Sequence, residues 1–284
     1  VTGPNEYENN INNNWYTNYI AKWCIDYAME NIDKVKSEYA SDYNRIMTKV
    51  NLSEDELSKW KAVADNMYFP FDEERNIYLQ QDGFLDKELI TVADLPKSER
   101  PINQKWSWDR ILRSPYIKQA DTLQGFYFFE DHFTDEELER HFDFYEPFTV
   151  HESSLSPCVH SIQAAKLGRM DQAYEFYLRT SRLDLDDYNH EVEEGLHITS
   201  MAGTWMSIVE GFGGMRIIND TLSFEPKIPE QWEAYSFKVN FRNQIIKVNA
   251  CKGHTHFELE GDHDLNILVN GKPITIIANS LVTV

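Results

Sequence analysis

Ile208-Val209-Glu210-Gly211-Phe212-Gly213-Gly214-Met215 is where the rhythm of this chain changes. Behind it, over 197–212, apolar residues recur at helical spacing. Gly211, Gly213 and Gly214 end that helix, glycine being the residue that leaves a helix without steric penalty. Ahead of it, stretches 222–226, 236–241, 244–251, 255–260, 265–269 and 274–276 alternate apolar and polar residues at period two. Asn270-Gly271 stands between the last two as a hairpin turn. Short strands at such spacing predict a small C-terminal β-sandwich domain over 215–284, after a helical portion over 1–214.

Upstream the helical signals come in pairs. Over 14–39, Trp15, Tyr19, Trp23 and Tyr27 recur at i, i+4, beside a second row of Tyr16, Ile20, Cys24 and Ala28. Residues 47–50 read as a short turn. Ser53 followed by Glu54-Asp55-Glu56 is a capping pattern that opens a helix through Leu57, Trp60, Val63 and Met67. From 67 to 115, Pro70, Gly83, Pro96 and Pro101 break the rhythm, which predicts a long irregular excursion lying against the helices. Helical spacing resumes at Pro115 with Ile117, Ala120 and Leu123, again after Thr134, again after Ser156-Pro157 up to Gly168, and again over 170–182. Paired helices joined by short polar links predict a mainly α fold resembling an α/α toroid more than a simple bundle.

At 284 residues and 33.4 kDa the chain can bury a large core. Its net charge of −20 excludes nucleic acid and anionic membrane as partners, since either needs a basic stripe. An anion such as phosphate must therefore be held by local donors against the overall field. No apolar run approaches the ~20 residues of a membrane span. Cys24, Cys158 and Cys251 are too few and too widely spaced for a disulfide framework or a metal site. They predict reduced, buried thiols in a cytoplasmic protein.

Four constellations carry chemistry. In Gly3-Pro4-Asn5-Glu6-Tyr7-Glu8 two carboxylates stand two residues apart, followed by an asparagine run that suits sugar hydroxyls as well as helix capping. Either Glu6 or Glu8, in an apolar-lined cleft beside Tyr7 and Trp15, could have its pKa raised and act as general acid. Spacing alone does not choose between them. Trp15 is also a ring of the kind that stacks on sugars. Lys118-Gln119 are polar neighbours at the start of an otherwise apolar helix; aimed into a cleft they would bind hydroxyls or an anion, and on a surface they would only be solvated. His151-Glu152-Ser153-Ser154-Leu155-Ser156-Pro157 places small hydroxyls before a helix N-terminus, where backbone N–H groups favour anions, although plain capping explains serines there too. His197, Thr199 and Ser200 open the last helix with a further set of donors for phosphate. His132, His141, His160, His190, His254, His256 and His263 show no ligand spacing, so no metal is expected. No nucleophile elbow surrounds the serines.

GPNEYENNINNNWYTN, KQADTLQGFYFF, HESSLSPCVHSIQAAKLG and EEGLHITSMAGTWMSIVEGFGG, in this order over nearly the whole chain, resemble glycoside hydrolase family 65. Within it they look most like the disaccharide phosphorylases acting on maltose. The resemblance implies an (α/α)6 barrel followed by a C-terminal β-sheet domain, with this chain supplying the second half of the toroid. The family's N-terminal β-sandwich, linker and first barrel helices would then lie before Val1, and the part alone would expose apolar helix faces. Glu6 falls on the family's general-acid position, leaving Glu8 as a neighbour. Lys118 and Gln119 match residues lining the glucosyl and phosphate site. His197, Thr199 and Ser200 match the phosphate segment, with Ser153 and Ser154 close to it. The implied reaction is inverting phosphorolysis of maltose to β-glucose 1-phosphate and glucose, with inorganic phosphate as co-substrate and no cofactor. Trehalose, kojibiose or nigerose are the alternative substrates, a same-fold hydrolase or a non-catalytic carbohydrate-binding module the alternative functions, and a homodimer the expected full-length assembly.

Overall fold

A computed structural model describes residues 1–284. Helix α1 (Trp15–Glu38) starts at Asn14, whose side chain accepts the Thr17 amide, so the asparagine run ends in a true cap. Helix α2 (Ala40–Val50) follows where only a turn at 47–50 was expected. The chain breaks at Tyr39 alone, and Asn51 closes α2 in the left-handed conformation at φ 53°. Helix α3 (Glu54–Asp65) begins at Ser53 as the capping pattern predicts and packs on α1. Trp23 and Tyr27 of the α1 stripe remain exposed, and no helix is long and apolar enough to cross a membrane.

The excursion from 67 to 115 is irregular as expected, with a hairpin of two-residue strands, β1 (Phe71–Asp72) and β2 (Ile77–Tyr78), and two short helices, α4 (Ile102–Lys105) and α5 (Trp108–Arg113). The hairpin is tied down by helix α7 (Asp135–Tyr145). His141 Nε2 accepts the Tyr78 amide at 2.8 Å, and the Tyr145 hydroxyl donates to the Tyr78 carbonyl at 2.7 Å. One expectation fails here. Helix α6 (Thr122–Phe128) starts at Thr122, not near Pro115, and the stretch before it is irregular, with Ile117 bridged to Thr149 and bends at Lys118 and Gln119.

Helix α7 carries the full capping box between Thr134 and Glu137. Helix α8 (Pro157–Lys166) is the centre of the helical body, buried along nearly its whole length between α6, α9 (Met170–Ser181) and α11 (Ile198–Met206). The short α10 (Leu183–Asp186) lies between the last two. Gly203 lets α11 approach closely, because a Cβ there would sit 2.8 Å from the Cys158 Cβ. After α11 the coil widens into a π-helix, Ser207–Phe212.

Beyond Gly214 come β3 (Arg216–Ile218), β4 (Thr221–Phe224), β5 (Ala234–Phe241), β6 (Gln244–Cys251), β7 (His254–Glu260), β8 (Leu265–Val269), β9 (Lys272–Ile276) and β10 (Leu281–Thr283). They form two four-stranded sheets, ordered β10-β7-β6-β5 and β3-β4-β8-β9. Phe224, Ile246, Val248, Phe257, Ile267 and Val269 are buried together, so the inward rows of both sheets share one core. Asn270 and Gly271 both have positive φ (49° and 73°), which a two-residue hairpin of this twist demands. β3 and β10 were not read from the sequence, being three residues each. The sheets dock on the helices through Trp232 and Tyr235, and through Arg216, whose guanidinium meets the Glu130 carboxylate at 2.8 Å.

Candidate active site

The loop over 3–14 is held by side chains far along the chain. Asn5 is buried. Its amide donates to Asp121 Oδ2 at 3.0 Å, while its own Oδ1 accepts the amides of Tyr7 at 3.1 Å and Lys118 at 3.0 Å. Gly3 passes so close that a Cβ would lie 2.4 Å from both Asn14 Nδ2 and Asp121 Oδ2. This clamp leaves the two carboxylates in opposite environments. Glu8 is buried and paired with Lys87, with Gln81 Nε2 donating to it at 3.0 Å. Burial holds the Lys87 ammonium down to about 8, and its other donors reach the carbonyls of Leu112 and Ser114. Glu8 is thus a locked structural anion with no open face.

Glu6 is half exposed and meets Lys118 Nζ at 2.5 Å. Burial raises its pKa, but the hydrogen bond and charge of Lys118, joined by the Gln119 amide, outweigh this and leave it lowered. That corrects the expectation of a raised pKa in an apolar-lined cleft: the neighbours are a cation and an amide. Lys118 and Gln119 come from a bent strap before α6 and not from the first turn of a helix, and it is the strap that turns both side chains toward Glu6. Asn5 Nδ2, next in sequence to Glu6, and Gln119 Oε1 are buried without any partner in the protein. Such atoms cost about 1–3 kcal/mol each unless a ligand bonds them, and sugar hydroxyls both donate and accept.

Trp15 is a correction. It is 0% exposed, with Tyr78 at 5.3 Å and Phe126 at 5.5 Å between ring centroids, and Gly125 against its edge. It roots α1 in the core and offers no face to a sugar.

Tyr7 joins the acid loop to the serine motif. Its ring is buried and its hydroxyl donates to Glu152 Oε2 at 2.8 Å, so that burial and the Glu152 charge push the phenol pKa far up. Glu152 also accepts the Ile102 amide at 2.9 Å and lies 3.4 Å from Arg100 Nε. Arg179 donates to the carbonyls of Val150 and His151 at 3.0 and 2.9 Å, fixing the backbone that leads into Ser153 and Ser154. Ser154 Oγ meets Thr199 Oγ1 at 2.6 Å, so two motifs separated by 45 residues come together in an open position. Ser153 faces inward, where its hydroxyl accepts the Leu155 amide. Ser200 is a second correction, since its buried hydroxyl donates to the Thr180 carbonyl at 2.5 Å and braces α11 against α9. His197 Nδ1 is bound by Asp184 Oδ1 at 2.6 Å, and its Nε2 stands 3.9 Å from the Glu191 carboxylate. Burial raises the Asp184 pKa and the His197 bonds lower it, with a net lowering.

Three residues are grouped as a metal site would group them: Glu146, His151 and His160. His160 was expected to stand alone, yet it lies with His151 against one carboxylate oxygen, at 2.9 and 3.2 Å. Of these two contacts His151 Nε2 makes a hydrogen bond to the carboxylate, while neither nitrogen of His160 has a hydrogen-bond partner, and the Ser156 hydroxyl completes the His151 ring at 2.8 Å. Burial holds His151 below its usual range, so the ring is a neutral brace beneath the serine turn. The thiols are all free, and Cys24 is exposed rather than buried as expected.

Asn5, Asp121, Glu152, Arg179 and Asp184 shape the site and were not singled out by sequence. The quoted motifs contained Asn5, Asp121 and Glu152, but each acts through a partner more than 45 residues away.

A model described as the glycosyl hydrolase family 65 central catalytic domain matches residues 1–206, and one described as that family's C-terminal domain matches 215–276. Maltose phosphorylase of Bacillus subtilis (strain 168) is 52% identical over 97% of this chain and 36% of its own length. Alpha,alpha-trehalose phosphorylase of Thermoanaerobacter brockii is 42% identical over 97% of this chain and 34% of its own. Among solved structures, one described provisionally as a kojibiose phosphorylase from the human microbiome superposes with a TM-score of 0.90 at 37% identity, covering 100% of this chain and 41% of that one. The chain spans about a third of the length of the curated relatives it matches.

Proposed function

The chain belongs to glycosyl hydrolase family 65, and on that premise we propose that it carries the acid and the anion-binding turn of a disaccharide phosphorylase. The reaction is inverting phosphorolysis of maltose to β-glucose 1-phosphate and glucose. The observation that carries this reading is the pairing of half-exposed Glu6 with Lys118 and Gln119, tied through Tyr7 and Glu152 to the Ser154–Thr199 turn. In this reading the helical body is the second half of an (α/α)6 toroid, and the strands after 215 form its small sandwich.

Glu6 protonates the glycosidic oxygen while phosphate attacks the anomeric carbon from the opposite face. An inverting hydrolase needs a second carboxylate there to activate water. Phosphate is already a nucleophile and needs donors instead, which Ser154, Thr199 and His197 supply. Lys118 keeps Glu6 ionised before substrate arrives. A bound sugar buries Glu6 further and offers Lys118 other acceptors, so both factors that set the acid's pKa move toward the protonated form the first step needs. Trp15 and Ser200 take no direct part.

The test is to incubate the full-length protein with maltose, with and without phosphate. Glucose release at equal rates in both would sink the phosphorylase reading in favour of hydrolysis. The 42% identity to a trehalose phosphorylase favours trehalose as the second substrate to try, and a protein inert to maltose but active on trehalose would move the substrate there. The full-length protein is taken to be a cytoplasmic homodimer needing no cofactor or metal; size-exclusion and activity after chelation check those points.

A further inference from the structure

Asp121 stands at the position before α6 where an aspartate ordinarily accepts amides of the first turn, yet its carboxylate makes no capping bond. It turns the other way, into the acid loop. It is 2% exposed, and its two oxygens are divided between the Asn5 amide at 3.0 Å and Asn14 Nδ2 at 2.9 Å. Each partner is itself a junction. Asn5 Oδ1 receives the Lys118 amide, so Asn5 bonds both ends of the strap over 118–121. Asn14 caps α1 through Thr17 and reaches the Gln80 carbonyl at 3.1 Å. One carboxylate thus ties together the loop that bears Glu6, the strap that bears Lys118 and Gln119, and the start of α1. A buried carboxylate that forgoes its helix cap is expensive, and the return is the geometry it imposes.

We propose that Asp121 is the positioning residue of the acid: its carboxylate fixes the Asn5 backbone, and through Asn5 the meeting of Glu6 with Lys118. This rests on the reading of Glu6 as general acid. Asp121 touches neither substrate nor Glu6. Protonation would turn one of its two acceptor oxygens into a donor facing a donor, so one tie would break. Burial pushes its pKa up, opposed by the Asn5 and Asn14 bonds, to about 7. The titratable groups facing it are the Tyr16 phenol from α1 and the Tyr145 phenol from α7, with the Lys118–Glu6 pair beyond Asn5. Neither phenol carries charge at neutral pH.

The experiment compares Asp121→Asn with the parent in the full-length protein. An asparagine presents one oxygen and one amide, so it satisfies Asn5 or Asn14 but not both. The kcat of phosphorolysis is expected to fall about tenfold to a hundredfold, the scale of a misplaced catalytic group, with little change in the KM for phosphate. The acid limb of the kcat profile near neutral pH flattens in the variant. Amide exchange quickens at Asn5 and Lys118 and stays unchanged in α8. The reciprocal variant Asn14→Asp with Asp121→Asn restores donor facing acceptor at this pair, at the cost of setting the new carboxylate against the Gln80 carbonyl that Asn14 donates to in the parent, and recovers part of both kcat and protection. A folded Asp121→Asn protein with parental kcat and parental exchange at Asn5 overturns the proposal. If the single variant does not fold, a reciprocal variant that folds without recovering protection also overturns it. If the parent itself fails to phosphorolyse any disaccharide, the assignment of function falls, while the exchange comparison still decides whether Asp121 holds the loop.

Discussion

Gly3→Ala is the most severe small change available near the acid. The new methyl carbon would stand 2.4 Å from Asn14 Nδ2, 2.4 Å from Asp121 Oδ2 and 2.7 Å from Asn14 Cγ. Ordinary contact for such pairs is about 3.4 Å or more, so roughly 1 Å must be found. Neither neighbour can swing aside. Asn14 is held by Thr17, Gln80 and Asp121, and Asp121 by Asn5 and Asn14. The loop must therefore lift, and Glu6, three residues on, lifts with it. Overpacking of this kind costs about 1–3 kcal/mol of stability, and a 1 Å misplacement of a catalytic group costs on the order of a hundredfold in rate. Thermal unfolding and phosphorolysis kinetics of the full-length variant measure the two separately. A Gly3→Ala protein that melts normally and keeps kcat within about threefold of the parent would refute the clamp.

Glu6→Gln is expected to abolish nearly all turnover while sugar affinity and melting temperature hold. Glu8→Gln does the opposite: it strands the buried Lys87 and costs about 3–5 kcal/mol of stability, and a Glu8 variant that is stable but inactive would reverse the two roles. His197→Ala should raise the phosphate KM far more than the maltose KM, and Ser154→Ala should do the same more weakly; equal effects on both substrates would make these residues structural. His141 sets a pH dependence. Its Nε2 accepts the Tyr78 amide and its Nδ1 donates to the Glu137 carbonyl, so the ring must be neutral. Burial depresses its pKa to about 4, partly opposed by the Glu137 bond. A depressed pKa means stability that is present above the ordinary value of 6.5 and lost as pH falls from there through 4. Melting temperature against pH should fall over that window, and a His141→Gln protein with an unchanged slope would remove His141 as the cause.

Where local chemistry decides structure, the residues could be read directly. Thr134 with Glu137, Ser53 with Glu56, and Asn270-Gly271 all form what their side chains dictate. Helix α2 was within reach too: Tyr43, Ile46, Met47 and Val50 keep helical spacing, but no residue of α2 is buried, so the pattern is short and weakly marked. Trp15 and Trp23 show what spacing does not convey. Both belong to the same stripe, yet one is fully buried and the other exposed, because only the tertiary neighbours determine which part of a stripe is covered. In the site, Glu6 meets Lys118 and Gln119, and Ser154 meets Thr199. What held them was hidden, since the bonds of Asn5 to Asp121 and Tyr7 to Glu152 span 116 and 145 residues. An aspartate before a helix reads as a cap, and only the fold reveals that Asp121 faces elsewhere.

The π-helix Ser207–Phe212 turns residue count into alignment. Each residue of an α-helix advances the chain by about 100° around its axis, and a widened turn holds one more residue than the α-helix it interrupts. Six residues wound at about 80° each turn through nearly the same angle as five at about 100°, so deleting a single residue from this segment would let it relax to α-geometry with the sheets still close to their place. Adding a residue is the harsher change: with the turn already widened, a further rotation of about 100° would carry Phe212 out of the core it shares with Trp232 and Glu210 away from the Tyr127 hydroxyl it accepts. Added length is therefore under tighter constraint at this junction than lost length is, whereas the Asn219-Asp220 and Asn270-Gly271 turns, far out on the sheets, should accept an added residue with little consequence.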